Sequence, residues 1–118
     1  DQINDYEDLE GLSHAITQAR IALFKVTDQI NKYDRLAKGK KIEYERAYRR
    51  EYLRSVERTE NLKKARADLA CENLENDYLV NEQLVSELIR LSNTIRLELQ
   101  TLQAVGNNIR QQLKMEWM

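Results

Sequence analysis

The chain has 118 residues, of which 42% are hydrophobic and 33% are charged, and its formal net charge is −1. This length fits one domain, but the apolar fraction is too small for a broad globular core, so the composition favours an elongated protein. The absence of proline and the presence of only three glycines exclude folds rich in strands and turns, and the composition therefore predicts an all-α protein.

From the residues given, we expect neither export nor membrane insertion. No apolar run approaches the roughly 20 residues of a membrane span. The first ten residues contain five acidic side chains, which is the opposite of the basic start of a signal peptide. The single cysteine, Cys71, has no partner for an internal disulfide. We therefore expect a cytoplasmic protein.

The first predicted element is a helix over residues 9–54, in which apolar residues recur in steps of three and four, the spacing of a heptad seam. Gly39 either lies within this helix at a cost of about 1 kcal/mol or ends it, which leaves a three-helix arrangement open. We favour a continuous helix, because it keeps Tyr44 and Tyr48 on the seam. The seam consists of Leu9, Leu12, Ile16, Ala19, Leu23, Val26, Ile30 and Tyr33, continued by Ala37, Tyr44 and Tyr48.

Residues 55–60 interrupt the apolar pattern and are predicted to form a turn. Ser55 and Thr59 carry side-chain oxygens of the kind that cap a following helix, and acids stand close by for its first turn. A reversal near Glu57 predicts that facing residues have numbers summing to about 115, which places Tyr44 opposite Cys71.

The second predicted arm covers residues 61–114 and has its own heptad seam. The two arms predict one domain over residues 1–118, a long antiparallel helical hairpin that resembles a coiled coil. Asn81 and Ser92 are the polar seam positions at which register or oligomeric state would be specified. The second seam consists of Ala67, Cys71, Leu74, Tyr78, Asn81, Val85, Leu88, Ser92, Ile95, Leu99, Leu102, Gly106, Ile109 and Leu113.

Further apolar residues lie beside the seams and widen the apolar face of each helix beyond what one partner helix covers. A two-helix hairpin buries one narrow stripe and is marginally stable on its own, so we expect homodimers that form a four-helix assembly. The flanking residues are Phe24, Leu62, Leu69, Val80, Leu84, Leu91 and Val105.

The charge is unevenly distributed along the chain. Residues 32–66 contain thirteen lysines or arginines and six acids, a net charge of +7. This segment is the candidate partner-binding region, and Trp117 is a separate candidate as an apolar anchor. The candidate partner-binding residues are Arg46, Arg49, Arg50, Arg54, Arg58, Lys63, Lys64 and Trp117.

Four tyrosines lie within this basic segment and allow two interpretations. Aromatic rings among cations are typical of platforms for single-stranded nucleic acid. Alternatively, Tyr44 and Tyr48 are inward seam residues, because their spacing of four places both on one helix face, and the basic side chains serve solubility. We favour the second interpretation. The four residues are Tyr33, Tyr44, Tyr48 and Tyr52.

No pattern in the sequence indicates an enzyme. The only histidine, His14, lies far along the chain from Cys71, so no nucleophile and base stand together. The acids pair with Lys or Arg at helical spacing, and neither a Glu-x-x-His pair nor a glycine-rich phosphate loop occurs. We expect no catalytic residues, no metal, no cofactor and no small-molecule substrate.

Two segments, Arg46–Leu53 and Leu97–Leu113, resemble small, mostly uncharacterised helical accessory proteins of temperate phages and prophages of Gram-positive bacteria. The resemblance implies a role in the cytoplasm of a bacterial host, in DNA metabolism or on a host factor. Our leading expectation is a non-catalytic interaction protein that modulates or inhibits a host or phage protein. The alternative is a nucleic-acid-binding accessory protein that uses residues 32–66.

Overall fold

The computed structural model describes residues 5–117 of the chain. These residues form three helices, α1 (Asp5–Arg54), α2 (Glu60–Ala70) and α3 (Glu72–Glu116), and no strand occurs among them. The prediction of an all-α fold is confirmed. Within the same residues, no helix combines the length and the apolar content of a membrane span.

Helix α1 continues through Gly39 without a break. The neighbours of this glycine in sequence are lysines, which are good helix formers, and one exposed glycine costs a helix only about 1 kcal/mol. The alternative arrangement, in which a helix ends at Gly39, is therefore wrong.

The segment between α1 and α2 is held by side-chain hydrogen bonds. Thr59 is the N-cap of α2, and its hydroxyl accepts a hydrogen bond from the backbone N–H of Leu62 at 3.2 Å. The hydroxyl of Ser55 accepts one from the N–H of Glu57 at 3.3 Å. The Glu57 carboxylate in turn contacts Arg66 Nη1 at 3.2 Å, which ties this segment to α2. The predicted capping role of a serine or threonine in the turn is confirmed at Thr59.

The sequence did not predict the interruption at Cys71. Helix α2 ends at Ala70 and α3 begins at Glu72. The backbone N–H of Cys71 still donates to the Ala67 carbonyl at 3.0 Å, and the Cys71 carbonyl accepts from Glu75 at 2.9 Å. The predicted second arm is therefore two helices that share helical hydrogen bonds across a single residue.

The chain divides into two units. The first unit contains the residues up to Asp28 and those from Leu88 onward, and the second contains Gln29–Glu87. In the first unit α1 and α3 pack so closely that a Cβ atom on Gly106 would lie 3.1 Å from Leu12 Cδ2. The buried residues are Val26, Leu88, Ser92 and Gly106 in the first unit and Ala37, Ala47, Ala67 and Cys71 in the second.

In the second unit α1 and α3 run antiparallel, but their register differs from the expected one. The ring centroids of Tyr44 and Tyr78 are 5.2 Å apart, whereas the facing residue expected for Tyr44 was Cys71. Ala37 borders a groove together with Val85. Tyr44 therefore contacts a residue one heptad further along α3 than the residue expected opposite it. Apolar spacing places a residue on a helix face but does not fix which residue lies opposite it.

Burial follows both predicted seams closely. Every residue of the second seam, from Ala67 to Leu113, is buried or half-buried. The same holds for every residue of the first seam, from Leu9 to Tyr48. The buried residue near the end of α1 is Ala47, however, while Tyr48 is half-buried. The shift arises because the strict three-four alternation after Tyr44 reaches Ala47 before Tyr48.

The two polar seam residues are satisfied within their own helix. The Asn81 amide donates to the Asp77 carbonyl at 2.8 Å, and the Ser92 hydroxyl donates to the Ile89 carbonyl at 2.8 Å. Neither side chain hydrogen-bonds to α1 within the described residues, so any influence of these residues on register acts through their size.

Replacing Gly39 with alanine is expected to raise the free energy of unfolding by about 0.5–1 kcal/mol, because alanine restricts the unfolded chain and favours helix. Nothing lies within 4 Å of the added Cβ. Chemical denaturation followed by circular dichroism measures the change. Gly106→Ala is the matched control and is expected to gain less, because its Cβ crowds Leu12. A loss of stability in Gly39→Ala would contradict an uninterrupted α1.

Candidate partner-binding surface

The last turns of α1 present a cluster of arginines to solvent. Arg46, Arg49, Arg50 and Arg54 are exposed and, together with Leu53, line a shallow depression of about 410 Å³. Their spacing of three and four residues brings them to one side of the helix. We call these five residues the arginine face.

The arginine face forms no ion pair with the acids whose side chains the structure describes. Among the residues that the structure describes, ion pairs form between Lys38 and Asp34 at 2.8 Å and between Arg66 and Glu57 at 3.2 Å. None of the four arginines has a carboxylate oxygen of residues 9–117 within 4.0 Å. Four guanidinium groups are therefore available for contacts outside the described part of the chain.

The other candidate residues have different surroundings. Arg58 is exposed in the segment between α1 and α2, and Lys64 is exposed on α2. The Lys63 amine lies 5.8 Å from the ring centroid of Tyr52. Trp117 is exposed directly after α3 and belongs to the first unit, whereas the seven basic candidates belong to the second. The basic candidates thus share one unit, and Trp117 belongs to the other.

A second feature of the same unit is a groove, which we call the tyrosine groove. It has a volume of about 400 Å³ and lies between α1 and α2. The centroids of the Tyr44 and Tyr48 rings are 6.0 Å apart. The groove is lined by Tyr44, Glu45, Tyr48, Arg49, Tyr52 and Lys64.

The Tyr44 and Tyr48 hydroxyls remain protonated well above neutral pH. A hydrogen-bonding interaction with Glu75, followed by burial, raises the pKa of Tyr44. Burial, followed by the negative charge of Asp68, raises the pKa of Tyr48. Tyr44 and Tyr48 therefore stay neutral in a groove that the cations Arg49 and Lys64 also line.

The Cys71 side chain is buried at the end of α2. Burial, followed by the negative charge of Glu51, raises the pKa of its thiol. Because the thiolate is the reactive form of cysteine, both effects suppress reactivity. Within the described residues, no group of three or more His, Cys, Asp or Glu side chains stands close enough to hold a metal ion.

Many large apolar side chains remain exposed, including six of the seven flanking residues named from the sequence; Leu84 is half-buried. Leu53 and Val56, which the sequence analysis did not single out, expose 75% and 89% of their surface. Tyr78 was also missed as a neighbour of Tyr44, because the expected register placed Cys71 there. The signal for Leu53 was present in its spacing of four from Arg49 and three from Arg50.

The sequence matches no protein-family model, no curated protein and no solved structure. The structure defines an all-helical protein with a basic, partly apolar surface in its second unit.

Proposed function

We propose that this chain is a non-catalytic interaction protein that binds an acidic surface of a partner protein through the arginine face. The observation that carries the proposal is an exposed leucine, Leu53, among four arginines that have no ion-pair partner in the described chain. Arginine is enriched at the energetic centres of protein interfaces, and it pairs with carboxylates through two parallel hydrogen bonds.

The close spacing of the arginines destabilises α1 in the free chain, and this cost supports a role in binding. Like charges spaced four residues apart, such as Arg46 with Arg50 and Arg50 with Arg54, destabilise a helix by about 0.2–0.5 kcal/mol per pair. The apolar surface of Leu53 is also hydrated in the free chain. A partner that offers carboxylates around an apolar pocket relieves both costs.

The resemblance to phage and prophage accessory proteins supports a more specific version of this proposal. In that setting the partner is a host or phage protein in the bacterial cytoplasm, and binding modulates or inhibits it. Occupation of an acidic surface on such a partner blocks whatever that surface normally contacts. Inhibition therefore requires no chemistry from this chain.

We further propose that the chain self-associates into a homodimer with a four-helix core. Leu91 and Val105 support this proposal, because both are more than 40% exposed and lie fourteen residues apart on α3. That separation equals two heptads, so they share one face beside the seam. A second copy that packs on this face removes their side chains from water.

Photo-crosslinking tests the arginine face directly. A benzophenone amino acid at position 53 is placed among the arginines, and the adduct formed in bacterial cells is identified by mass spectrometry. The partner is then purified, and its dissociation constant is measured for the wild type and for the triple variant Arg46→Glu, Arg50→Glu, Arg54→Glu. We expect the triple variant to bind at least about 100-fold more weakly, since each contact changes from attraction to repulsion.

The matched control reverses three exposed cations of the first unit, Lys25, Arg90 and Lys114. This variant has the same change in net charge and is expected to bind within about threefold of the wild type. Equal losses in both variants would show that only net charge matters, and the arginine face would then not be the binding site.

A further inference from the structure

The tyrosine groove lies on a different side of α1 from most of the arginine face. Arg49 borders both features, but the remaining arginines and Leu53 do not line the groove. The groove instead receives Lys64 from α2. It is therefore a second site with its own chemistry, and it shares only Arg49 with the arginine face.

The innermost ring of the groove is held in place from several directions. Tyr44 contacts Tyr78 with ring centroids 5.2 Å apart and an interplanar angle of 34°, and it contacts Tyr48 at 6.0 Å and 57°. Offset and tilted aromatic pairs of this kind stabilise by about 0.5–1.5 kcal/mol each. Tyr44 thus forms a fixed end of the groove.

The two outer rings are not needed to fill the core. Ala47 is the buried seam residue at this level, whereas Tyr48 and Tyr52 are half-buried and border open volume. Positions beside a helical seam usually carry charged side chains. Here they carry aromatic rings, and Lys63 lies 5.8 Å from the Tyr52 centroid.

The charge of the groove favours an anion. Arg49 and Lys64 border it, and Glu45 is its single acidic lining residue. Lys63 adds a third cation at Tyr52. The surrounding segment, residues 32–66, carries a net charge of +7. A ligand that fits must combine flat apolar surfaces, for the rings, with regularly spaced negative charges, for the cations.

We propose that the tyrosine groove binds single-stranded nucleic acid, with bases stacked on Tyr48 and Tyr52 and phosphates in contact with Arg49 and Lys64. A volume of about 400 Å³ is sufficient for one or two bases, and stacking on an aromatic side chain contributes about 1–3 kcal/mol per base. Because every base has a π-face, the binding is tolerant of sequence. A duplex hides its bases and binds more weakly.

Fluorescence anisotropy with a labelled oligothymidine of about 12 nucleotides, and with a duplex of equal length, tests this proposal. We expect the single strand to bind at least about tenfold more tightly than the duplex. Tyr48→Ala with Tyr52→Ala is expected to weaken single-strand binding about 10- to 100-fold, while Tyr48→Phe with Tyr52→Phe retains it, because phenylalanine also stacks. Circular dichroism confirms that each variant is folded.

Lys64→Gln provides a second test that does not depend on the tyrosines, since this side chain is exposed. Loss of one phosphate contact is expected to reduce the slope of log affinity against log salt concentration by about 0.7 for a single strand. An unchanged slope, equal affinity for the duplex, or no binding of either oligonucleotide would overturn the proposal. Displacement of the oligonucleotide by poly-glutamate at equal charge concentration would also overturn it and would assign the groove to an acidic protein.

The two proposals fail separately. The alanine variants of Tyr48 and Tyr52 are expected to bind the partner protein as the wild type does. The triple arginine variant, which keeps Arg49, is expected to retain its preference for single strands over duplex.

Discussion

Replacing Leu88 with alanine is expected to lower the free energy of unfolding by about 2–4 kcal/mol. Leu88 exposes only 9% of its surface and is the largest side chain among the buried seam residues of α3. Truncation removes its buried methyl groups and leaves a cavity that the two packed helices fill only partly.

The adjacent residue supplies the control. Ile89 exposes 45% of its surface on the same helix, and Ile89→Ala is expected to cost less than about 1 kcal/mol. Urea denaturation followed by circular dichroism compares the two variants at equal protein concentration. The seam assignment would be contradicted by equal losses, or by a larger loss in Ile89→Ala.

Introducing aspartate at both Leu91 and Val105 is expected to convert the proposed dimer into a monomer. Burying a carboxylate without a partner in an apolar interface costs several kcal/mol, so the dissociation constant should rise by at least about 100-fold. Sedimentation velocity over a range of concentrations measures this change. The substituted positions remain hydrated in the monomer, so helix content at 222 nm should be retained.

Leu97→Asp is the matched substitution on the same helix. Leu97 exposes 65% of its surface but lies six residues, or about 1.7 turns, from Leu91 and faces away from the seam. It should leave the dimer intact. A monomeric wild-type chain, or dissociation caused by Leu97→Asp alone, would refute the proposed interface.

The helical fold and the buried positions were predictable because both depend on local chemistry. Heptad spacing identified the seam residues without knowledge of the partner helix, since a residue's place on a helix face follows from its sequence number alone. Thr59 was predictable as a cap for a similar reason, because its hydroxyl reaches a backbone N–H only three residues away.

Which residues lie opposite each other on neighbouring helices was less predictable from the sequence. Tyr44 contacts Tyr78, which the expected turn position did not place beside it, because apolar spacing alone does not fix how two seams pair. The tyrosine cluster requires Tyr78 beside Tyr44, and the cation at Tyr52 comes from Lys63 on the far side of the turn. The interruption at Cys71 has no glycine or proline to mark it.

The excess of basic residues in the sequence predicted the position of the arginine face, but it did not indicate that Leu53 belongs to this surface. The excess of positive charge over residues 32–66 identified the region. The structure added the absence of ion pairs at the four arginines within the described residues, which sequence spacing did not indicate.

The burial of the Cys71 sulfur is useful for spectroscopy. Its side chain is 1% exposed and it is the single cysteine of the chain, so a maleimide dye or nitroxide reagent reacts first with any cysteine introduced at an exposed position. Site-specific probes can therefore be attached beside Leu53 or along the tyrosine groove without first removing the native thiol.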